Sequence, residues 1–233
     1  MQAAGANVAL IHGAWCDGSV WCRVIPQLQA AGHRVVAVQL PLTTLAEDIA
    51  TTRRALAKLA SPTILVGHAY GGMVISGAAA AAPGVTGLVY VAGYAGDVGE
   101  CVGTINQRYP LSAGEQETRT DAEGYLMLHA DAFADVFADD VDPAQAQLLA
   151  AVQKPTSMHC FTGTLEAAAW HDLPSWYLIA GADRMLPVEA QHWMAERMGA
   201  TVQVVPSSHA LHLAHPHDVV LAVGAAARQA VPA

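Results

Sequence analysis

Thr63-Ile64-Leu65-Val66-Gly67-His68-Ala69-Tyr70-Gly71-Gly72-Met73-Val74-Ile75 is the stretch that decides the fold. An apolar, largely β-branched run reaches Gly67-x-x-x-Gly71, and sequence rich in Ile and Ala follows at once. That order predicts a buried strand, a tight turn and a helix, with glycine where backbone segments must crowd. The pattern is Gly-x-Ser-x-Gly with one departure: alanine holds position 69, where the serine would stand.

Outward from that turn the chain alternates. Asn7–Ile11 reads as a short buried strand, and Asp17 or Ser19 can cap a helix that Gly32 ends. Arg34–Val38 is the next strand, Thr44–Leu59 carries Leu45, Ile49, Leu56 and Leu59 at helical spacing, and Val85–Ala92 is a further apolar strand. The rhythm returns with strands Ser175–Ala180 and Thr201–Val205, each followed by a helix, Pro187–Met198 and His217–Ala227. Such alternation implies a parallel sheet covered on both faces. Residues 94 to about 171 differ: acidic and amide residues rise, Asp131–Phe137 and Pro143–Val152 read as short helices, and no strong strand is evident. This segment is predicted to be a helical cap over the carboxyl edge of the sheet. Residues 1–6 are expected to be disordered.

Composition narrows the function. The 233 residues suit a single α/β domain, and 53% hydrophobic content supplies a large core. A net charge of −9 with 11 Lys+Arg and no basic run argues against nucleic acid or an anionic membrane as partner. The start of the chain shows no basic n-region, and Val8–Ile11 is too short for a signal segment or a span. Cys16, Cys22, Cys101 and Cys160 have no metal-type spacing, so a soluble, cytoplasmic protein with free thiols is expected.

His12-Gly13-Ala14-Trp15, Gly67-His68-Ala69-Tyr70-Gly71-Gly72, Gly181-Ala182-Asp183-Arg184-Met185-Leu186-Pro187 and Ser208-His209-Ala210 with Pro216 occur in that order. On these anchors the chain resembles the α/β-hydrolase superfamily, more narrowly its small bacterial esterase-like branch and the plant methylesterase and hydroxynitrile-lyase group. The resemblance spans nearly the whole chain. It implies a mostly parallel six-stranded sheet with helices on both faces, a core of residues 1–93 and 172–233, and a cap of residues 94–171.

It also implies roles. Ala69 takes the nucleophile position, Asp183 the acid that orients a histidine, and His209 the general base, in the nucleophile–acid–histidine order of this fold. Asp97 is the alternative acid, and Asp183 read structurally is a helix cap. The backbone N–H groups of Ala14 and Tyr70 are the expected oxyanion donors. His12 reads as a loop brace. His212, His215 and His217 are expected to face the surface or the lid rather than to form a metal site. Trp15, Tyr94, Phe133, Phe137, Phe161 and Trp170 are the expected substrate contacts, and each could equally be core. The implied reaction is hydrolysis of a small hydrophobic or aromatic ester or lactone through an acyl-enzyme, without cofactor or metal. Alanine at 69 leaves two readings: a Ser-to-Ala form of such an enzyme, or a hydrolase-like small-molecule binding protein. Cyanohydrin lyase chemistry fits poorly, because Arg184 stands in an acid loop with no lysine across residues 181–190.

Overall fold

The computed structural model describes residues 5–229. Of the disordered start expected over residues 1–6, residues 1–4 fall outside that range; Ala6 is buried, and its carbonyl accepts the Arg34 N–H at 3.2 Å. The strands are β1 (Asn7–Ile11), β2 (Arg34–Val38), β3 (Thr63–His68), β4 (Val85–Val91), β5 (Thr118–Thr120), β6 (Tyr125–Leu128), β7 (Thr156–Ser157), β8 (Ser175–Ala180) and β9 (Thr201–Val205). The first helices are α1 (Ile25–Ala30), α2 (Leu45–Leu56), α3 (Gly71–Ala79), α4 (Val102–Asn106), α5 (Ala113–Gln116) and α6 (Ala130–Phe137). They continue with α7 (Pro143–Ala151), α8 (Met158–Thr162), α9 (Val188–Arg197), α10 (Leu211–Ala214) and α11 (Pro216–Gln229).

The main sheet runs in the order β2-β1-β3-β4-β8-β9, and every pairing in it is parallel. β3 and β8 are buried at every residue, as central strands covered on both faces must be, whereas edge strand β9 is exposed up to Val204. Helix α3 packs on β1, β3 and β4 with α2 beside it, and α11 packs on β3, β4 and β8 with α1 beside it. Thr44 caps α2 by accepting the Glu47 N–H at 3.1 Å, and acids in the first turn with arginines in the last complement the helix dipole.

Two segments differ from expectation. The single helix expected from Asp17 or Ser19 is split: Asp17 caps a 3-10 turn over Gly18–Trp21, and α1 begins afresh with Pro26 in its first turn. Proline has no N–H to continue a preceding helix but is well suited to start one. The insertion holds more than helices. Beside α4–α8 it carries a three-stranded antiparallel sheet, β5-β6-β7. These strands are two to four residues long, too short for period-two alternation to register in sequence. Among the described residues no helix is long and apolar enough to cross a membrane.

Candidate active site

At the carboxyl end of β3 the chain turns sharply into α3, and Ala69 takes φ 48°, the left-handed region that a side-chain-bearing residue seldom adopts. Such a conformation costs roughly 1–3 kcal/mol and persists only where neighbours over-determine it. They do so here: the Ala69 N–H donates to Val91 O at 3.2 Å, and its carbonyl accepts both Gly72 N–H and Tyr94 N–H at 2.9 Å. Glycine is required at 67, because a Cβ there would lie 2.6 Å from the Gly71 carbonyl oxygen. The elbow geometry is intact although the residue on it offers only a methyl.

His209 lies in the loop after β9, and Asp183 follows β8. The His209 Nδ1–H donates to Asp183 Oδ2 at 2.7 Å, with both side chains essentially excluded from solvent. Asp183 Oδ1 also accepts the Met185 and Leu186 N–H groups at 2.7 and 2.9 Å, and Oδ2 accepts Gln191 Nε2 at 2.8 Å. Four donors compensate the burial of that carboxylate and fix its orientation; the two backbone donors lie in the loop before α9, whose N-cap is Pro187, so Asp183 holds the His209 ring and does not cap the helix. A carboxylate can only accept, so in the neutral ring Nδ1 carries the proton and the opposite nitrogen, Nε2, is the acceptor; it makes no hydrogen bond among the described residues. His209 and Ala69 both line one cavity of about 570 Å³.

Ala14 and Tyr70 line the same cavity, and neither backbone N–H donates a hydrogen bond to another group among the described residues. Trp15, beside Ala14, also has left-handed backbone, φ 61°. The insertion pins it there: its N–H donates to Thr156 Oγ1 and its indole N–H to Leu126 O, both at 3.0 Å, and its carbonyl accepts Lys154 N–H at 3.0 Å. The Tyr70 hydroxyl donates to Asp48 Oδ2 at 2.7 Å. That buried carboxyl also accepts Leu42 N–H at 2.9 Å, and the Cys160 thiol lies 3.6 Å from it. Burial raises the Asp48 pKa and pushes the Cys160 thiol up to about 12.

Of the expected substrate contacts, Trp15, Tyr94 and Phe161 are in the cavity wall. Phe133, Phe137 and Trp170 are not, and for these the expectation is corrected. Phe133 and Phe137 stack at 4.9 Å, and Phe137 backs the His209 ring edge-on at 5.0 Å, behind the site rather than in it. Trp170 is buried with its indole N–H on Gly96 O at 2.9 Å. The alternative acid Asp97 pairs instead with His171 Nε2 at 2.9 Å, near the surface. His217 is exposed and His215 half-buried, but His212 is fully buried, its ring 4.2 Å from that of His68. Among the described residues no group of three or more His, Cys, Asp and Glu could hold a metal ion.

Sequence reading missed several supporting residues. Gln191 is one polar residue on the buried face of α9, beside Ala190 and Met194, and that misfit with its neighbours is a usable signal. Asp140, in the insertion, accepts Ser208 N–H at 2.9 Å and the Ser207 hydroxyl at 2.8 Å, so the insertion grips the His209 loop; nothing in its local sequence marks it. His12 accepts Leu40 N–H on Nε2 at 3.0 Å and donates from Nδ1 to Gly13 O at 2.8 Å, the brace expected of it. Burial lowers its pKa to about 4, which keeps the ring neutral.

The chain is similar over nearly its full length to the alpha/beta hydrolase nvfD of Aspergillus novofumigatus, 27% identical over 245 residues covering 96% of this chain and 97% of that one. A carbendazim hydrolyzing esterase of a Nocardioides species is 34% identical over 110 residues, 41% of this chain and 45% of the esterase. The crystal structure of polyneuridine aldehyde esterase superposes with a TM-score of 0.82 at 20% identity, covering 94% of this chain and 99% of that one, a likeness of fold. The family model described as alpha/beta hydrolase family matches residues 8–223, and with that span the chain belongs to the alpha/beta hydrolase family.

Proposed function

We propose that the site is built to hydrolyse carboxylic esters or lactones of small, mainly hydrophobic or aromatic compounds, and that this chain is its nucleophile-less form. The observation that carries the reading is the His209–Asp183 pair at 2.7 Å, opening on the same cavity as the left-handed residue 69. With serine at 69, its oxygen would attack the acyl carbon while His209 Nε2 takes the proton. The N–H groups of Ala14 and Tyr70 would stabilise the oxyanion. His209 would return the proton to the departing alcohol, and water activated by the same ring would release the acid. The names of esterase relatives support this bond class. The reading carries with it a small-molecule partner, no nucleic acid or membrane, and a cytoplasmic setting.

Ala69→Ser tests it. Hydrolysis of short p-nitrophenyl esters is expected to appear, with an initial burst of nitrophenol. His209→Ala in that background is expected to remove about 10²–10⁴ of the rate. The second reading, a small-molecule binding protein, rests on the methyl at residue 69. It gains if folded Ala69→Ser protein stays inert toward every ester while the unaltered chain binds them.

A further inference from the structure

The cavity wall has a polarity that the reaction chemistry alone does not require. Among the described residues one carboxylate, Glu115, lines it, and no Lys or Arg does. The cations of the region are committed elsewhere. Arg184 donates to Asp135 O at 3.0 Å, Arg119 pairs with Glu117 at 3.3 Å, and the Arg108 guanidinium lies 4.4 Å over the Trp193 ring. Lys154 Nζ donates to the Leu40 carbonyl.

Glu115 is the end of a short hydrogen-bond chain. The Tyr94 hydroxyl donates to Asn106 Oδ1 at 2.9 Å, and Asn106 Nδ2 donates to Glu115 Oε1 at 2.8 Å. Ser112 N–H donates to Glu115 Oε2 at 2.8 Å. The Tyr94 hydroxyl donor and one of the two Asn106 amide donors are thus taken up within the cluster. A carboxylate offers about four lone-pair sites, and two are used here. The cluster therefore presents spare acceptors and negative charge to the cavity. The backbone donors beside residue 69 are the N–H groups of Ala14 and Tyr70, and the remaining polar wall residues, Gln107, Tyr109, Thr118 and Thr120, are uncharged amide and hydroxyl groups. Trp15, Leu126, Met158 and Phe161 make the space between apolar.

We infer that the site selects esters whose apolar body carries a protonated amine or similar cationic group, seated against Glu115 while the acyl oxygen faces Ala14 and Tyr70. This rests on the proposed ester chemistry and names its substrate class. The same wall disfavours anionic ligands, including the carboxylate that hydrolysis would produce, and the net charge of −9 acts in the same sense at long range.

The unaltered chain, with Ala69, allows binding to be measured by calorimetry. The ligands are three para-substituted benzoate methyl esters: the cationic 4-aminomethyl, the neutral 4-ethyl and the anionic 4-carboxylate. The cationic ester is expected to bind about tenfold tighter than the neutral one, and the anionic ester weakest of all. Glu115→Gln is expected to remove that tenfold preference, with the ratio of cationic to neutral affinity as the readout and circular dichroism reporting that the variant is folded. Gln107→Lys, which adds a cation at an exposed position of the wall, is expected to shift the preference toward the anion without disturbing the Glu115 contacts. Equal binding of the cationic and neutral esters, or a preference that both variants leave intact, overturns the inference. Hydrolysis of the neutral ester by Ala69→Ser is scored separately. Turnover without charge preference sinks only the substrate class, and charge preference without turnover sinks only the ester chemistry.

Discussion

The His68 Nε2–H donates to the backbone carbonyl of His209 at 2.9 Å, so the residue before the nucleophile position holds the loop that carries the candidate base. A carbonyl can only accept, which places the His68 proton on Nε2 and leaves its buried Nδ1 without a partner among the described residues. The strand that presents residue 69 and the loop that presents the imidazole are thereby locked in register by one bond.

Removing that donor is expected to act on rate more than on binding. In the Ala69→Ser background, His68→Phe should lower kcat by about tenfold, since small misplacements of a catalytic group are costly, with KM little changed. Leaving the buried His209 carbonyl unpaired should also cost about 1–3 kcal/mol of stability in urea titrations. His68→Gln, which can still donate, should recover part of both. If His68→Phe changes KM and kcat equally while His68→Gln recovers neither, the bond has no positioning role.

Tyr70 and Asp48 form a second such lock. The 2.7 Å bond ties the side chain of the residue after Ala69 to helix α2, with Asp48 fully buried. Tyr70→Phe strips one donor from a buried carboxyl and should destabilise by about 1–3 kcal/mol, read as a lower urea midpoint at unchanged m. Asp48→Asn keeps an oxygen for the Tyr70 hydroxyl or the Leu42 N–H and should cost less than Asp48→Ala. A destabilisation under about 0.5 kcal/mol for Tyr70→Phe would mean that the bond is incidental.

The sheet and the site read unevenly from sequence, for physical reasons. β1, β3, β4 and β8 are short apolar runs bounded by turn residues, so local composition alone marks them. Asp183 and His209 were reachable because each follows a strand in a short loop of recognisable order. Asp140 and Asp48 were not, because their roles arise from contacts 67 and 22 residues away, with no local pattern to mark them. The aromatic side chains of the insertion show the same limit. Phe133, Phe137 and Phe161 are chemically alike, yet only Phe161 reaches the cavity, and tertiary placement alone separates them.

Two glycines should respond oppositely to alanine. Gly67→Ala forces a Cβ to 2.6 Å from the Gly71 carbonyl oxygen in a turn already strained at residue 69, and should cost about 1–3 kcal/mol. Gly224 lies inside α11, where the nearest atom to an added Cβ is Arg228 Nη1 at 3.4 Å, the flexible end of a long side chain. Gly224→Ala should therefore stabilise by about 0.5–1 kcal/mol through helix propensity. Thermal melts of the two variants check both, and equal shifts of the same sign would contradict the account of the elbow.

Stability should fall in mild acid because of the histidines packed around β3. Burial lowers the pKa of His12 to about 4 and of His212 to about 3, and that of His68 well below its ordinary value, with the neighbouring His212 and His209 adding to the effect. Below about pH 6.5 the unfolded chain takes protons on these rings that the folded chain refuses. The unfolded state then binds more protons, so unfolding free energy rises with pH: it is complete above about 6.5 and lost as pH falls toward 4 for His12 and toward 3 for His212. Each ring contributes a slope of at most about 1.4 kcal/mol per pH unit in its window. Asp48 opposes this, since burial raises its pKa and a raised carboxyl favours the folded state in acid, but it is one group against three. His212 is the cleanest probe, because neither of its ring nitrogens has a hydrogen-bond partner among the described residues. His212→Phe should be neutral or stabilising at pH 7.5 and should flatten the decline between pH 6 and 4.5 by close to one proton, measured by urea titration at several pH values. A variant whose pH slope matches that of the unaltered chain would show that His212 already carries its proton when folded, and that burial is not what sets the acid limit.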